Sequence, residues 1–175
     1  MDWQLIIFEA IDLRSFSNLW FWIALAFVWS RASYSIIGVP FDMVVRAQRQ
    51  GGQAADDLAD LLRVNIRRFR YIIDVSGLWL VGAASGVLCS LAILGWRYEV
   101  EFAQAAFLLG FPMTCVGLLN VRTAHVIAAQ NLAGPTLYRK MTRHRFAVQL
   151  IGLVAIFITA FWGMSVNLNA QLPGF

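Results

Sequence analysis

The sequence predicts an all-α protein that crosses a membrane four times. Of its 175 residues, 59% are hydrophobic and only 14% are charged, whereas soluble domains carry about 25% charge. Four segments are apolar over about 20 residues each, which is enough to cross roughly 30 Å of hydrocarbon as helices. The abundance of large apolar side chains also excludes a disordered protein. We therefore expect one four-helix membrane domain over residues 1–175.

A short amphipathic segment precedes the predicted spans. Trp3, Ile6, Ile7, Ala10 and Leu13 recur at helical spacing, which is typical of a helix that lies on a membrane surface. Acidic residues dominate this segment, so it lacks the basic start of a cleavable signal peptide. We expect residues 3–14 to form an interfacial helix on the outer surface.

The predicted spans are separated by two long, basic connections. The spans are residues 17–37, 75–96, 102–121 and 146–166, and the connections are residues 38–74 and 122–145. Six of the 14 Lys and Arg residues fall in the first connection and five in the second. Because short Lys- and Arg-rich loops stay on the cytoplasmic side, we expect both connections in the cytoplasm. Both termini would then be periplasmic, in a bacterial inner membrane.

The first connection carries an amphipathic pattern that leads into the second span. Gly51 and Gly52 interrupt the backbone, and from Gln53 onward apolar residues recur at helical spacing. We expect an amphipathic cytoplasmic helix here. Arg63, Arg67 and Arg70 share one of its faces. A second basic group comprises Arg139, Lys140, Arg143 and Arg145. Both groups are either solvated faces or binding sites for anionic lipid or an acidic partner.

Small residues recur at every fourth position in three of the spans. Such a spacing lets membrane helices approach one another closely. The sets are Gly82, Gly86 and Ser90 in the second span, Ala106, Gly110 and Thr114 in the third, and Ala155, Thr159 and Gly163 in the fourth. Only residues 97–101 join the second and third spans, which predicts a tight antiparallel hairpin. Pro112 removes a backbone donor within the third span and predicts a kink.

Few polar side chains lie within or near the spans. Arg31 is close to the cytoplasmic end of the first span, where it either reaches the headgroups or pairs with Asp74. Interhelical hydrogen bonds account for three uncharged polar residues, which are Gln104, Asn120 and Gln149.

The residue types that most enzymes require are scarce. Cys89 and Cys115 lie within spans and are interpreted as packing residues. His125 and His144 lack nearby ligands for a metal and are interpreted as solvated or lipid-facing. The sequence contains no phosphate-binding glycine loop, nucleophile elbow or HExxH motif. We expect no enzymatic activity, no cofactor, no metal and no nucleic-acid partner.

Three segments carry a resemblance to a known family. They are SFSNLWFW at residues 15–22, GVPFD at residues 38–42 with the following basic stretch, and FLLGFPMT at residues 107–114. Together they resemble small four-span bacterial inner-membrane proteins, often labelled as components of the SufBCD complex, which assembles iron–sulfur clusters. The resemblance implies a membrane dock for a soluble assembly machine, and it transfers no functional residue.

These observations favour a non-enzymatic accessory or assembly subunit of a larger inner-membrane complex. Its small-residue faces would pack on other integral subunits, and its arginines would bind anionic headgroups or a soluble cytoplasmic protein. One alternative is the iron–sulfur assembly dock. Another is a small oligomeric transporter or membrane enzyme for a lipophilic substrate, with Pro112 at its cavity and Arg31 or Asp74 as its charged group.

Overall fold

The chain folds into a mostly helical structure. The computed structural model describes residues 15–171, so the predicted interfacial helix over residues 3–14 lies outside the described part. A short 3-10 turn (Ser15–Ser17) comes first, and a two-stranded hairpin separates the first two helices. The helices are α1 (Leu19–Tyr34), α2 (Phe41–Gln50), α3 (Gly52–Arg97), α4 (Glu101–Ala129) and α5 (Gly134–Gln171). The strands are β1 (Ser35–Ile36) and β2 (Val39–Pro40).

Three of these helices are long and apolar enough to cross a membrane. They are α3, α4 and α5, and they contain the predicted second, third and fourth spans. Helix α1 has 16 residues, about 24 Å at 1.5 Å per residue, which is shorter than the usual span. The structure therefore supports the second, third and fourth predicted spans, and the first stays a prediction.

The first predicted span ends earlier than the sequence indicated. Helix α1 stops at Tyr34, and the chain then turns back so that Ile36 pairs with Val39. Ile36, Ile37 and Val39 are all buried. Apolar residues therefore continue beyond the helix because they enter a protein core, which a hydropathy pattern cannot distinguish from contact with lipid.

The two basic connections are not loops. They are formed mainly by α2 and by extensions of α3, α4 and α5 beyond their apolar segments, and together they make a compact unit, which we call the headpiece (residues 35–74 and 122–145). As predicted, α3 begins as an amphipathic helix; it then runs unbroken into the predicted second span. The headpiece is built around one apolar core. Its buried members are Ile36, Ile37, Val39, Val44, Ala47, Leu58, Leu62, Ile66, Ala124, Ile127, Leu137 and Met141.

A second, smaller core lies among the apolar segments. It joins α1, α4 and α5 through Leu25, Trp29, Val116, Val148 and Ala155. The most apolar window of α3 is 0% buried, whereas those of α4 and α5 are 22% and 28% buried. Helix α3 therefore lies at the edge of the bundle, where α4 is its main neighbour.

Candidate functional site

The predicted arginine face of α3 lines a groove on the headpiece. Arg63, Arg67 and Arg70 are exposed along a cleft of about 830 Å³, between α3 and the corner where α4 meets α5. Arg63 pairs with Asp60 at 3.0 Å, while Arg67 and Arg70 form no ion pair within residues 15–171. The lining also includes buried apolar residues, which are Leu58, Leu62, Ile66, Ile127 and Leu137. The groove thus combines three arginines and two carboxylates, those of Asp56 and Asp74, with an apolar surface.

The second predicted basic group does not form one site. Arg139 and Arg143 are exposed on a smaller cleft beside α2. Lys140 is half-buried, and its charge helps to lower the pKa of the nearby His144. Arg145 lines a different cleft, on the α1 side of α5. The sequence groups these residues because they are close along the chain, but the turn of the helix separates them.

His144 corrects one interpretation from the sequence. The sequence predicts a solvated or lipid-facing residue, but the side chain is 4% exposed, and Nδ1 lies 2.9 Å from Oγ1 of the buried Thr123. Burial, with a smaller contribution from the charge of Lys140, lowers the pKa of His144 to about 4. His144 is therefore a neutral hydrogen-bonding residue that joins α5 to α4. His125 is exposed.

The cleft that contains Arg145 includes two arginines that sequence reasoning did not select. Arg46 and Arg49 of α2 line the same space of about 530 Å³. Asp42, Arg46 and Arg49 are spaced by four and three residues, which places them on one face of a helix. This spacing could have identified Arg46 and Arg49 from the sequence. The contribution of Arg145 was not visible, because it comes from α5, about one hundred residues further along the chain.

The small-residue set of the second span is exposed. A Cβ atom added to Gly82 or Gly86 would meet nothing within 4 Å among the described residues, and Ser90 is also exposed. Gly95 and Leu88 instead contact α4. At about 100° per residue, the set centred on Gly86 lies on the opposite side of α3 from Leu88 and Gly95. This face points away from the rest of the chain.

The other two small-residue sets lie within the fold. Gly110 has the Cδ2 atom of Leu88 at 3.6 Å from an added Cβ atom, and Ala106 and Thr114 are half-buried. In α5, Ala155 and Thr159 are buried, and an added Cβ atom on Gly163 would lie 3.0 Å from the ring of Phe16. The tightest contacts also involve two glycines that the four-residue spacing did not identify, which are Gly95 and Gly152.

Pro112 lies beside an apolar cavity between α4 and α5. Helix α4 continues through Pro112, and the cavity, of about 380 Å³, is also lined by Phe111, Cys115 and Ile151. Arg31 and Asp74, the charged residues expected at a substrate cavity, do not line it. Chemically, this space suits an acyl chain or another apolar group.

Comparison with known proteins adds no relative. No family model, curated protein or solved structure matches this chain. The resemblance to SufBCD-component proteins therefore stays an interpretation of three sequence segments. Within residues 15–171, no group of three His, Cys, Asp or Glu side chains is placed to hold a metal. Three features of the described chain bear on its function: the exposed face of α3, the basic clefts of the headpiece and the cavity at Pro112.

Proposed function

We propose that the chain is a non-enzymatic accessory subunit of a larger inner-membrane complex, which docks on partner helices through the outer face of α3. One observation carries this proposal. Gly82, Gly86 and Ser90 form a line of small residues that points away from the chain, on the helix whose apolar window is 0% buried. Small residues at this spacing let a second helix backbone approach closely where lipid provides no hydrophobic driving force.

Bulky side chains lie at both ends of the small-residue line. Trp79 lies one turn before Gly82 and is 81% exposed, and Ile93 lies about one turn after Ser90 and is 56% exposed. Both fall on the same side of α3 as the small residues, at about 100° per residue. A partner helix packed on the small residues would therefore also contact Trp79 and Ile93. The face is thus a shallow groove with a bulky side chain at each end, which suits a helix better than it suits lipid chains.

The headpiece is assigned to the cytoplasm in this proposal. Eleven of the 14 Lys and Arg residues belong to the headpiece. Short segments rich in these residues are retained on the cytoplasmic side. Trp20, Trp96 and Trp162 lie towards the other ends of their helices, where tryptophan favours the opposite interface. Helix α1, extended by the turn before it, would form the first of four spans and leave both termini periplasmic.

The basic clefts provide the second part of the proposed function. Arg67 and Arg70 lie just before the apolar segment that starts at residue 75, so their charges are near the level of the lipid headgroups. Each such cation near an anionic surface contributes about 1 kcal/mol of attraction. The groove that they line also suits an acidic surface of a soluble cytoplasmic protein. The subunit would thus bind integral partners through α3, and anionic lipid or such a protein through the headpiece.

Purification of the tagged full-length chain from native membranes in a mild detergent tests the docking face. We compare the wild type with Gly86→Ile, which fills the small-residue line, and with Ser85→Ile, which adds the same side chain to a neighbouring exposed position about 100° away around the helix. The wild type and Ser85→Ile should migrate as a complex, while Gly86→Ile should lose its partner. A wild-type chain that is purely monomeric, or equal complexes from all three proteins, would overturn the proposal.

The cavity beside Pro112 favours a second candidate, a small oligomeric transporter or membrane enzyme for a lipophilic substrate. Its support is the apolar volume between α4 and α5. Cys115→Phe would fill this cavity, and Leu118→Phe would add a ring at an exposed position of the same helix. This candidate requires that Cys115→Phe alone abolishes an uptake or turnover phenotype. If both variants behave as the wild type, the candidate fails.

A further inference from the structure

We propose that the cleft lined by Arg46, Arg49 and Arg145 binds a single phosphate group, carried by an anionic phospholipid or by a soluble phosphate compound. The three arginines would hold it. The inference deepens the lipid-binding part of the proposed function and rests on the headpiece lying at the headgroup level. It does not depend on docking through α3.

One side of α2 packs on the headpiece core, and the other side lines the cleft. Val44 and Ala47 face the headpiece core and are buried. Arg46 and Arg49 are exposed on the other side and line a space of about 530 Å³. The core contacts fix the orientation of α2, so its arginines are held towards the cleft by the fold.

The charge balance of the cleft favours an anion. Three guanidinium groups and one carboxylate, that of Asp42, line it. Asp42 is only in loose contact with Arg46, at 3.8 Å, and Arg49 has no carboxylate within 4.0 Å among the described residues. The cleft therefore carries an excess of about two positive charges. Guanidinium groups suit phosphate because they donate two parallel hydrogen bonds.

Arg145 provides an independent observation. Its Cζ atom lies 4.1 Å from the centre of the Phe41 ring, so the guanidinium stacks on an aromatic face. Its Nε atom is buried and has no hydrogen-bond partner within residues 15–171. Buried donors in folded proteins nearly always have an acceptor. Because protein atoms cover Nε, a phosphate in the cleft would contact the accessible part of this guanidinium, whose orientation the Phe41 ring holds.

The position of the cleft along the helices matches the depth of lipid headgroups. Tyr34, the last residue of α1, lines it, and Arg145 immediately precedes the apolar segment 146–166. The hydroxyl of Tyr34 offers a further donor. A phospholipid seated here would place its phosphate among the arginines while its acyl chains follow the apolar segments.

Native mass spectrometry of the purified full-length protein in a mild detergent tests the site. The probes are phosphatidylglycerol and, as a zwitterionic comparison, phosphatidylcholine. The wild type should bind one phosphatidylglycerol more tightly than phosphatidylcholine. Arg49→Gln should raise the dissociation constant for phosphatidylglycerol about tenfold, because one charge-assisted interaction is lost. Arg145→Lys keeps the charge but loses the planar fork, and should weaken binding about threefold or more.

Arg68→Gln is the matched control. Arg68 is an exposed arginine of the headpiece that does not line this cleft, so its loss should change the dissociation constant by less than about twofold. Competition by inorganic phosphate would assign the site to a soluble phosphate compound, and a lack of competition would assign it to phospholipid. Equal weakening by Arg49→Gln and Arg68→Gln, or equal binding of the two lipids together with no binding of inorganic phosphate, would overturn the proposal. Gly86→Ile should leave this binding intact, so failure of the α3 interface remains distinguishable.

Discussion

The indole ring of Trp29 lies against the backbone of Gly152. A Cβ atom added to Gly152 would lie 2.7 Å from Cε3 of Trp29, closer than carbon atoms pack. This contact joins α1 to α5, and Trp29 is 5% exposed at that point. The position of α1 therefore depends on a residue that has no side chain.

Gly152→Ala should destabilise the protein. The added methyl group must displace either the indole or the α5 backbone, which costs about 1–3 kcal/mol in a well-packed site. The measurement is thermal or denaturant unfolding of the purified protein in a mild detergent. Gly117→Ala is the control, because an added Cβ atom at Gly117 meets nothing within 4 Å among the described residues. The control should be neutral or slightly stabilising. Equal stabilities of the two variants would show that α1 does not pack as described.

Gln104→Leu should loosen the end of the bundle opposite the headpiece. The Gln104 side chain donates to the carbonyl oxygen of Gly95 at 2.7 Å and accepts from Nε1 of Trp162 at 3.0 Å. Its loss leaves two polar groups of neighbouring helices without this partner, at a cost of about 1–2 kcal/mol. The same unfolding assay measures this loss. Gln149→Leu, at an exposed position of α5, should cost much less; a similar cost would contradict a bridging role for Gln104.

Stability should fall as the pH drops below about 6.5. His144 is neutral in the folded protein because its pKa is about 4, whereas a histidine in the unfolded chain has the ordinary pKa of 6.5. Between these values protons bind mainly to the unfolded state, so the free energy of unfolding decreases, by on the order of 2 kcal/mol from pH 7 to pH 5. His144→Gln should remove much of this pH dependence. His125→Gln, at an exposed residue, should retain it, and a profile that is the same for all three proteins would refute the assignment.

The orientation of the headpiece predicts a labelling pattern. In a background with Cys89→Ala and Cys115→Ala, we place single cysteines by Arg68→Cys in the headpiece and Tyr98→Cys in the α3–α4 turn. Both parent residues are exposed. A membrane-impermeant maleimide should label Tyr98→Cys in intact spheroplasts and Arg68→Cys only after permeabilisation. The reverse pattern would place the arginines outside and remove the basis for cytoplasmic partners.

Hydropathy predicted the long helices well. The apolar windows of α3, α4 and α5 match three predicted spans, because a helix that faces lipid must be apolar over a fixed length. The amphipathic start of α3 followed from the apolar spacing after Gly52. The headpiece core was not predictable in the same way. Ile36 and Ile37 have the hydropathy of membrane residues, and only the tertiary structure shows that they contact protein.

Contacts between segments far apart in the sequence could not be predicted from it. Thr123 and His144 are separated by 21 residues, and nothing in the local sequence of either predicts that they meet. The role of Gly152 depends on Trp29 in another helix, so a search for small residues at every fourth position misses it. The same search found Gly82 and Gly86, because that spacing describes one helix face whether or not its partner belongs to the chain.

The most direct test of the central claim is site-specific photo-crosslinking in native membranes at positions 82, 86 and 90 of α3, with position 85 as the neighbouring control. A photoreactive residue on the small-residue face should form a crosslink to another membrane protein at 82, 86 and 90, and give little or none at 85. Crosslinks to lipid alone at every position, or the same protein yield at 85 as at 86, would contradict the proposed docking through α3.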